Sequence, residues 1–140
     1  MKSEQYLLDT NILIYILNDN PVVMENLRRV GTRQCCMSVI SLHELYYGAQ
    51  LAGENKKEYF TKEMNKISRL RKDIKAHPLA ADGSDYAHIK HLLKEKGCMV
   101  DDFDIIIASQ ALCEGLTVVT DNIKHFSRIP GLKIENWMER

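Results

Sequence analysis

Between Asp104 and Asp121 the chain commits itself to one kind of fold. Three Ile, two Ala and a Leu follow Asp104 at helical density, and Gly115 stands where a helix C-terminal glycine belongs. Leu116 to Thr120 is a short apolar, β-branched run, the pattern of a buried strand. One acid therefore opens a buried helix and another closes a buried strand. In open α/β sheets, sites form in the crevice beyond the strand C-terminal ends. The functional question is which other acids reach that edge.

The rest of the chain repeats the helix–strand alternation. Tyr6-Leu7-Leu8 reads as a buried strand ending at Asp9-Thr10-Asn11, and Ile12 to Leu17 as a helix. Pro21 suits the first turn of a second helix running to Gly31. Gln34 to Val39 is a second strand, and Ser41-Leu42-His43-Glu44 opens a helix through Ala49. A long amphipathic helix spans Asn55 to Lys75, with Phe60, Met64, Ile67 and Leu70 on its apolar stripe. Its other face is basic, including Lys62, Lys66, Arg69, Arg71 and Lys72, a solvated face or an RNA phosphate track. His77 to Ala81 is a weak strand, Asp82 or Ser84 caps a helix reaching Gly97, and Leu132 to Ile134 is the last strand after a short helix near His125. The expectation is an α/β fold: a small parallel sheet of about four or five strands with helices on both faces. At 140 residues, the chain from 1 to 140 suits a single domain.

Composition narrows the function. Lys+Arg and Asp+Glu balance at 19 each, so contact with nucleic acid must come from a local patch rather than a whole-molecule field. No apolar run approaches the roughly 18 residues of a membrane span. The start, Met1 to Tyr6, carries an acid and lacks the pattern of a signal peptide, so a cytoplasmic protein is expected. Cys35, Cys36, Cys98 and Cys113 show no zinc-like spacing and read as reduced thiols. The five His are scattered; His88 and His91 read as surface, Tyr46 and Tyr47 as core or interface, and Trp137 as packing for the tail.

Four acids have local explanations when taken singly. Asp9 and Asp121 suit helix N-caps, Ser41-x-x-Glu44 fits a capping box, and Asp104 in a first turn suits the helix dipole. Together they are harder to dismiss. Asp9 and Asp121 follow strands, while Glu44 and Asp104 sit in the first turns of helices that start at the same edge. At about 4 Å, two like charges cost roughly 1 kcal/mol in water and about 4 at an effective dielectric near 20. Convergent carboxylates therefore call for a counter-charge, and oxygen-only ligands select hard ions such as Mg²⁺ or Mn²⁺. Such ions orient a water nucleophile and stabilise phosphoryl transfer.

These residues resemble a known family. Asp9-Thr10-Asn11, Glu44 in Glu-Leu-Tyr-Tyr-Gly, Asp104 in Asp-Ile-Ile-Ile-Ala and Asp121 in Val-Val-Thr-Asp look like the motifs of PIN-domain nucleases. Within that group the chain, and its tail from Thr120 to Trp137 especially, is similar to the VapC toxins of bacterial VapBC toxin–antitoxin pairs. The resemblance implies a PIN fold and a Mg²⁺-dependent endoribonuclease, with Mn²⁺ as the alternative ion. It implies Asp9, Glu44, Asp104 and Asp121 as the metal-holding quartet, Asn11 as a supporting residue and Thr120 as the residue orienting the fourth acid. It further implies an RNA substrate (tRNA or ribosomal RNA), a homodimer, and silencing by a cognate VapB-type antitoxin. Many relatives have Gly and Pro where this chain has Asp101 and Asp102, which makes Asp101 a candidate supporting acid. Two other readings compete. A phosphatase with Asp9 as covalent nucleophile lacks its general acid, because Asn11 has no carboxyl proton to donate. A non-catalytic module binding RNA or a partner would leave the acids as caps, with no affinity for Mg²⁺.

Overall fold

The computed structural model describes residues 4–79 and 82–138. Five short strands form one parallel sheet: β1 (Tyr6–Leu8), β2 (Cys35–Ser38), β3 (Lys75–His77), β4 (Thr117–Val119) and β5 (Ile134–Glu135), in the order β3-β2-β1-β4-β5. Helices α1 (Thr10–Leu17), α2 (Pro21–Val30), α3 (Val39–Asn55), α4 (Lys57–Asp73), α5 (Ser84–Glu95), α6 (Asp102–Glu114) and α7 (Ile123–Phe126) fill the crossovers.

The period of two along each strand sorts side chains between two cores. Leu8, Cys35, Met37 and Val119 face a core shared with α1 to α4. Their neighbours Leu7, Cys36 and Val118 face the core under α5 and α6. Both faces are covered, which is why the strands read as continuous apolar runs rather than alternating ones. From β1 the chain winds outward to β2 and β3, then returns to β1's other side for β4 and β5. The switch point thus lies between β1 and β4, at Asp9 and Thr120. The backbone N–H of Asp9 donates to the Val119 carbonyl at 2.9 Å and pins the two strand ends together.

Several boundaries differ from the sequence reading. Ser38, the last residue of β2, is the N-cap of α3, its hydroxyl accepting from the Ile40 N–H. Ser41 is buried instead, and Glu44 is the sixth residue of α3 rather than part of a first-turn capping box. Helix α3 runs on to Asn55, Lys56 breaks the chain in an extended conformation, and α4 then folds back. The pair is close: a Cβ on Gly53 would lie 2.9 Å from Phe60 Cβ. Strand β3 starts at Lys75, earlier than expected, and Ala80 and Ala81 of the expected strand lie outside the described residues. The last strand is Ile134–Glu135, two residues displaced from its expected start. Gly115 ends α6 with φ 69°, as the sequence indicates. All four cysteines are free thiols, and no described helix is long and apolar enough to cross a membrane.

Trp137 closes the core beside β1. It is 2% exposed, packs against Tyr6 at a 5.7 Å ring separation, and its backbone carbonyl accepts from Asn26 Nδ2 on α2. Trp137→Ala is expected to cost about 3–5 kcal/mol, read as a lower midpoint in urea unfolding.

Candidate active site

At the switch point, the end of β1 and the starts of α3 and α6 frame a cleft of about 960 Å³. Asp9, Glu44, Asp101 and Asp104 line it, with Asn11 and His43. Each acid arrives there for a local reason. Asp9 terminates β1 and N-caps α1, accepting from the Thr10 N–H at 2.8 Å. Asp104 lies in the first turn of α6, where the helix dipole favours a carboxylate. Glu44 projects from the second turn of α3, and the Thr10 hydroxyl donates to its Oε1 at 2.6 Å, with Ser41 Oγ 2.9 Å from the same hydroxyl.

Asp9 is 4% exposed and yet offers both carboxylate oxygens to well-placed donors. Oδ1 takes the Thr10 amide and Oδ2 takes the Thr120 hydroxyl at 2.8 Å, while Thr120 Oγ1 accepts from the Asn122 N–H. Thr120 was expected to orient Asp121; it holds Asp9 instead, because β4 pairs directly with β1. Burial pushes the Asp9 carboxyl up to about 6 against these donors, with Glu44 and Asp121 adding to the rise. Asp104 accepts no hydrogen bond among the described residues. Burial, then the charges of Asp9, Asp101 and Glu44, push it up to about 7. Two acids held that far above the ordinary carboxylate range are short of positive charge. Thr120→Val should raise the Asp9 carboxyl further by removing its donor, a shift that an NMR titration of the carboxyl carbon reads directly.

Asp121 stands apart. The Tyr15 hydroxyl donates to its Oδ2 at 2.7 Å and Asn11 Nδ2 to its Oδ1 at 3.5 Å, so its side chain is turned to α1 and does not line the cleft. Asp101 is exposed at the N-terminus of α6, and Asp102 pairs with Lys90 at 2.8 Å and with the Tyr86 hydroxyl. Sequence reasoning passed over Tyr15 and Thr10. The i, i+4 spacing of Asn11 and Tyr15 on α1 was the available signal for the first; Thr10 had none beyond its place beside Asp9.

Among the described residues no three His, Cys, Asp or Glu side chains converge as a ready-made metal nest. The donor set nevertheless fits a hard cation. All of it is oxygen, burial raises both Asp9 and Asp104, the charge of Asp9 adds to the rise at Asp104, and Mg²⁺ commonly binds through one or two carboxylates while keeping several waters.

This carboxylate cleft at the switch point of a five-stranded parallel sheet has a known setting. The PIN domain family model matches residues 6–132, and the chain belongs to the PIN-domain family. Ribonuclease VapC2 of Haemophilus influenzae is 34% identical over 138 residues, covering 96% of this chain and 98% of the relative. The tRNA(fMet)-specific endonuclease VapC of Salmonella typhimurium is 33% identical over 135 residues, covering 95% and 98%. In structure, the chain is similar to VapBC2 from Rickettsia felis bound to a DNA fragment from its promoter, with a TM-score of 0.83 and 33% identity, covering 94% of this chain and 98% of that one.

Proposed function

We propose that this chain is a divalent-metal-dependent endoribonuclease, the toxin of a toxin–antitoxin pair held inactive by a cognate VapB-type antitoxin. The observation that carries the reading is buried Asp9 and half-buried Asp104, both raised toward neutrality and lining one cleft. The relatives named as ribonucleases, and the VapBC complex, supply the substrate class and the partner. The whole chain acts as one PIN domain in the cytoplasm and pairs as a homodimer.

In this reading Asp9 and Asp104 would hold Mg²⁺, with Mn²⁺ as a substitute, and Glu44 would add its charge at the same cleft. The bound ion supplies an acidified water and positive charge for the phosphate's transition state. The chain's own contribution is positioning. Thr10 N–H and Thr120 fix both Asp9 oxygens, so the carboxylate is held in one orientation at the cleft. Thr10 Oγ1 fixes Glu44. Asn11 and Tyr15 hold Asp121 toward α1, where its charge adds to the field that raises Asp9. Asp101 adds negative charge beside Asp104. No side-chain nucleophile is required.

A second reading, a non-catalytic module, draws on the absence of a three-ligand nest among the described residues. One experiment decides. Purified protein is incubated with tRNA and other RNA, with Mg²⁺ and then with EDTA, and the ends are mapped. Cleavage in Mg²⁺ to 5′-phosphate and 3′-hydroxyl ends, lost in EDTA, is expected. No cleavage together with no heat of Mg²⁺ or Mn²⁺ binding would leave the module.

A further inference from the structure

The cleft that holds the acids repels the very polyanion it is meant to cut. Cations must therefore stand where the flanking phosphates run, and the neutral chain has to supply them locally. On the α5–α6 side of the cleft, Lys90 is neutralised by Asp102 at 2.8 Å. On the α3–α4 side the situation is reversed. Tyr47 forms the crest of α3, 65% exposed, and lines the cleft on one flank. On its other flank it lines a hollow of about 330 Å³ floored by Phe60 and Met64. That hollow shares Tyr46 and Met64 with a second one of about 440 Å³, which ends at Arg71 and Lys72. Spacings of four, four and three from Phe60 through Met64 and Ser68 to Arg71 put this wall on one stripe of α4. Arg71 is steadied by its Nη1 donating to the Tyr46 hydroxyl at 3.0 Å. Neither Arg71 nor Lys72 has an ion-pair partner among the described residues.

We propose that single-stranded RNA flanking the cut leaves the cleft over Tyr47, whose ring stacks a base, and follows the α3–α4 groove to Arg71 and Lys72, which take backbone phosphates. The inference rests on the nuclease reading and adds its substrate path. It requires the substrate to be unpaired on that side, because a stacking ring needs a free base face.

The test measures binding of a single-stranded RNA oligomer by fluorescence anisotropy in an Asp104→Asn background, across salt concentrations. Arg71→Ala with Lys72→Ala is expected to weaken binding about 10-fold and to flatten the log–log salt slope by about 1.4, the loss of two phosphate contacts on a single strand. Tyr47→Ala is expected to cost about 10-fold with the slope kept, and Tyr47→Phe to restore the affinity. Lys96→Ala, on the opposite face of the sheet, should bind like its parent. Melting temperatures check that each variant folds. If the wild-type protein cuts RNA but both groove variants match the parent in affinity and slope, the path is wrong, including the case where the groove proves to hold a protein partner. If the wild-type protein neither binds nor cuts RNA, the nuclease reading falls and takes the path with it.

Discussion

Asp104→Asn should abolish RNA cleavage, with a loss on the order of 1000-fold, while the protein stays folded. The size follows from charge. Asparagine fills the same volume but cannot neutralise a cation, and forfeiting about 4 kcal/mol of transition-state stabilisation is a factor on the order of 1000 in rate. Asp104 suits the test because no described donor depends on its carboxylate, so the fold has little to lose. Asp9→Asn should match it in activity. Its amide, however, replaces the acceptor that the Thr120 hydroxyl uses, so that variant should also melt somewhat lower than Asp104→Asn. Glu44→Gln should lose less, because burial raises Asp9 and Asp104 while the Thr10 hydroxyl satisfies Glu44, and Gln keeps an acceptor for it. Purified Asp104→Asn protein with full activity would remove the metal assignment.

The metal-free protein should become less stable as pH rises from about 4 to about 7. The Asp9 carboxyl is pushed from 3.8 to about 6 and Asp104 from 3.8 to about 7. Each carboxyl therefore keeps its proton in the native state at pH values where the unfolded chain has released it. Stability falls wherever the native state binds more protons. The penalty is absent below about 3.8, grows through the native values and is complete above about 7. For the buried Asp9, the rise from 3.8 to about 6 corresponds to roughly 3 kcal/mol. Asp82 and Asp102 are held below the ordinary range by hydrogen bonds and Lys90, and act in the opposite sense. Both are fully exposed, so solvent screens their effect. In EDTA, melting temperature should be higher at pH 5.5 than at pH 8, with Asp104→Asn reducing the difference by melting a few degrees higher at pH 8. Saturating Mg²⁺ should close the gap from the other side, and Mg²⁺ affinity should rise over the same window as protons stop competing. A flat pH profile in EDTA would mean the carboxylates are not crowded.

How much of this was legible beforehand varies by element. The α6–Gly115–β4 stretch was readable because its signals are local: helical density, a left-handed glycine and a β-branched run. Strand β1 ending at Asp9 was readable for the same reason. The α3 start was misplaced because Ser41 and Glu44 imitate a capping box, whereas Ser38, three residues earlier in a buried apolar strand, does the capping. The two helices α3 and α4 were separable, but α3 runs past Ala49 to Asn55 and the break falls at Lys56, which has no glycine or proline to mark it.

The site divides along the same line. Local patterns a few residues long settle which segments reach the edge, since they tie each acid to its own helix or strand. What each acid meets there depends on how distant segments pack. Thr120 lies 111 positions from Asp9, and Tyr15 lies 106 from Asp121, so no short-range pattern could pair them. The parallel pairing of β1 with β4 brings the first pair together, and it also sets Asp121, just past β4, beside α1 and its Tyr15. Backbone propensity acts over one turn of helix, while partner choice is set by the packing of strands that the chain visits a hundred residues apart.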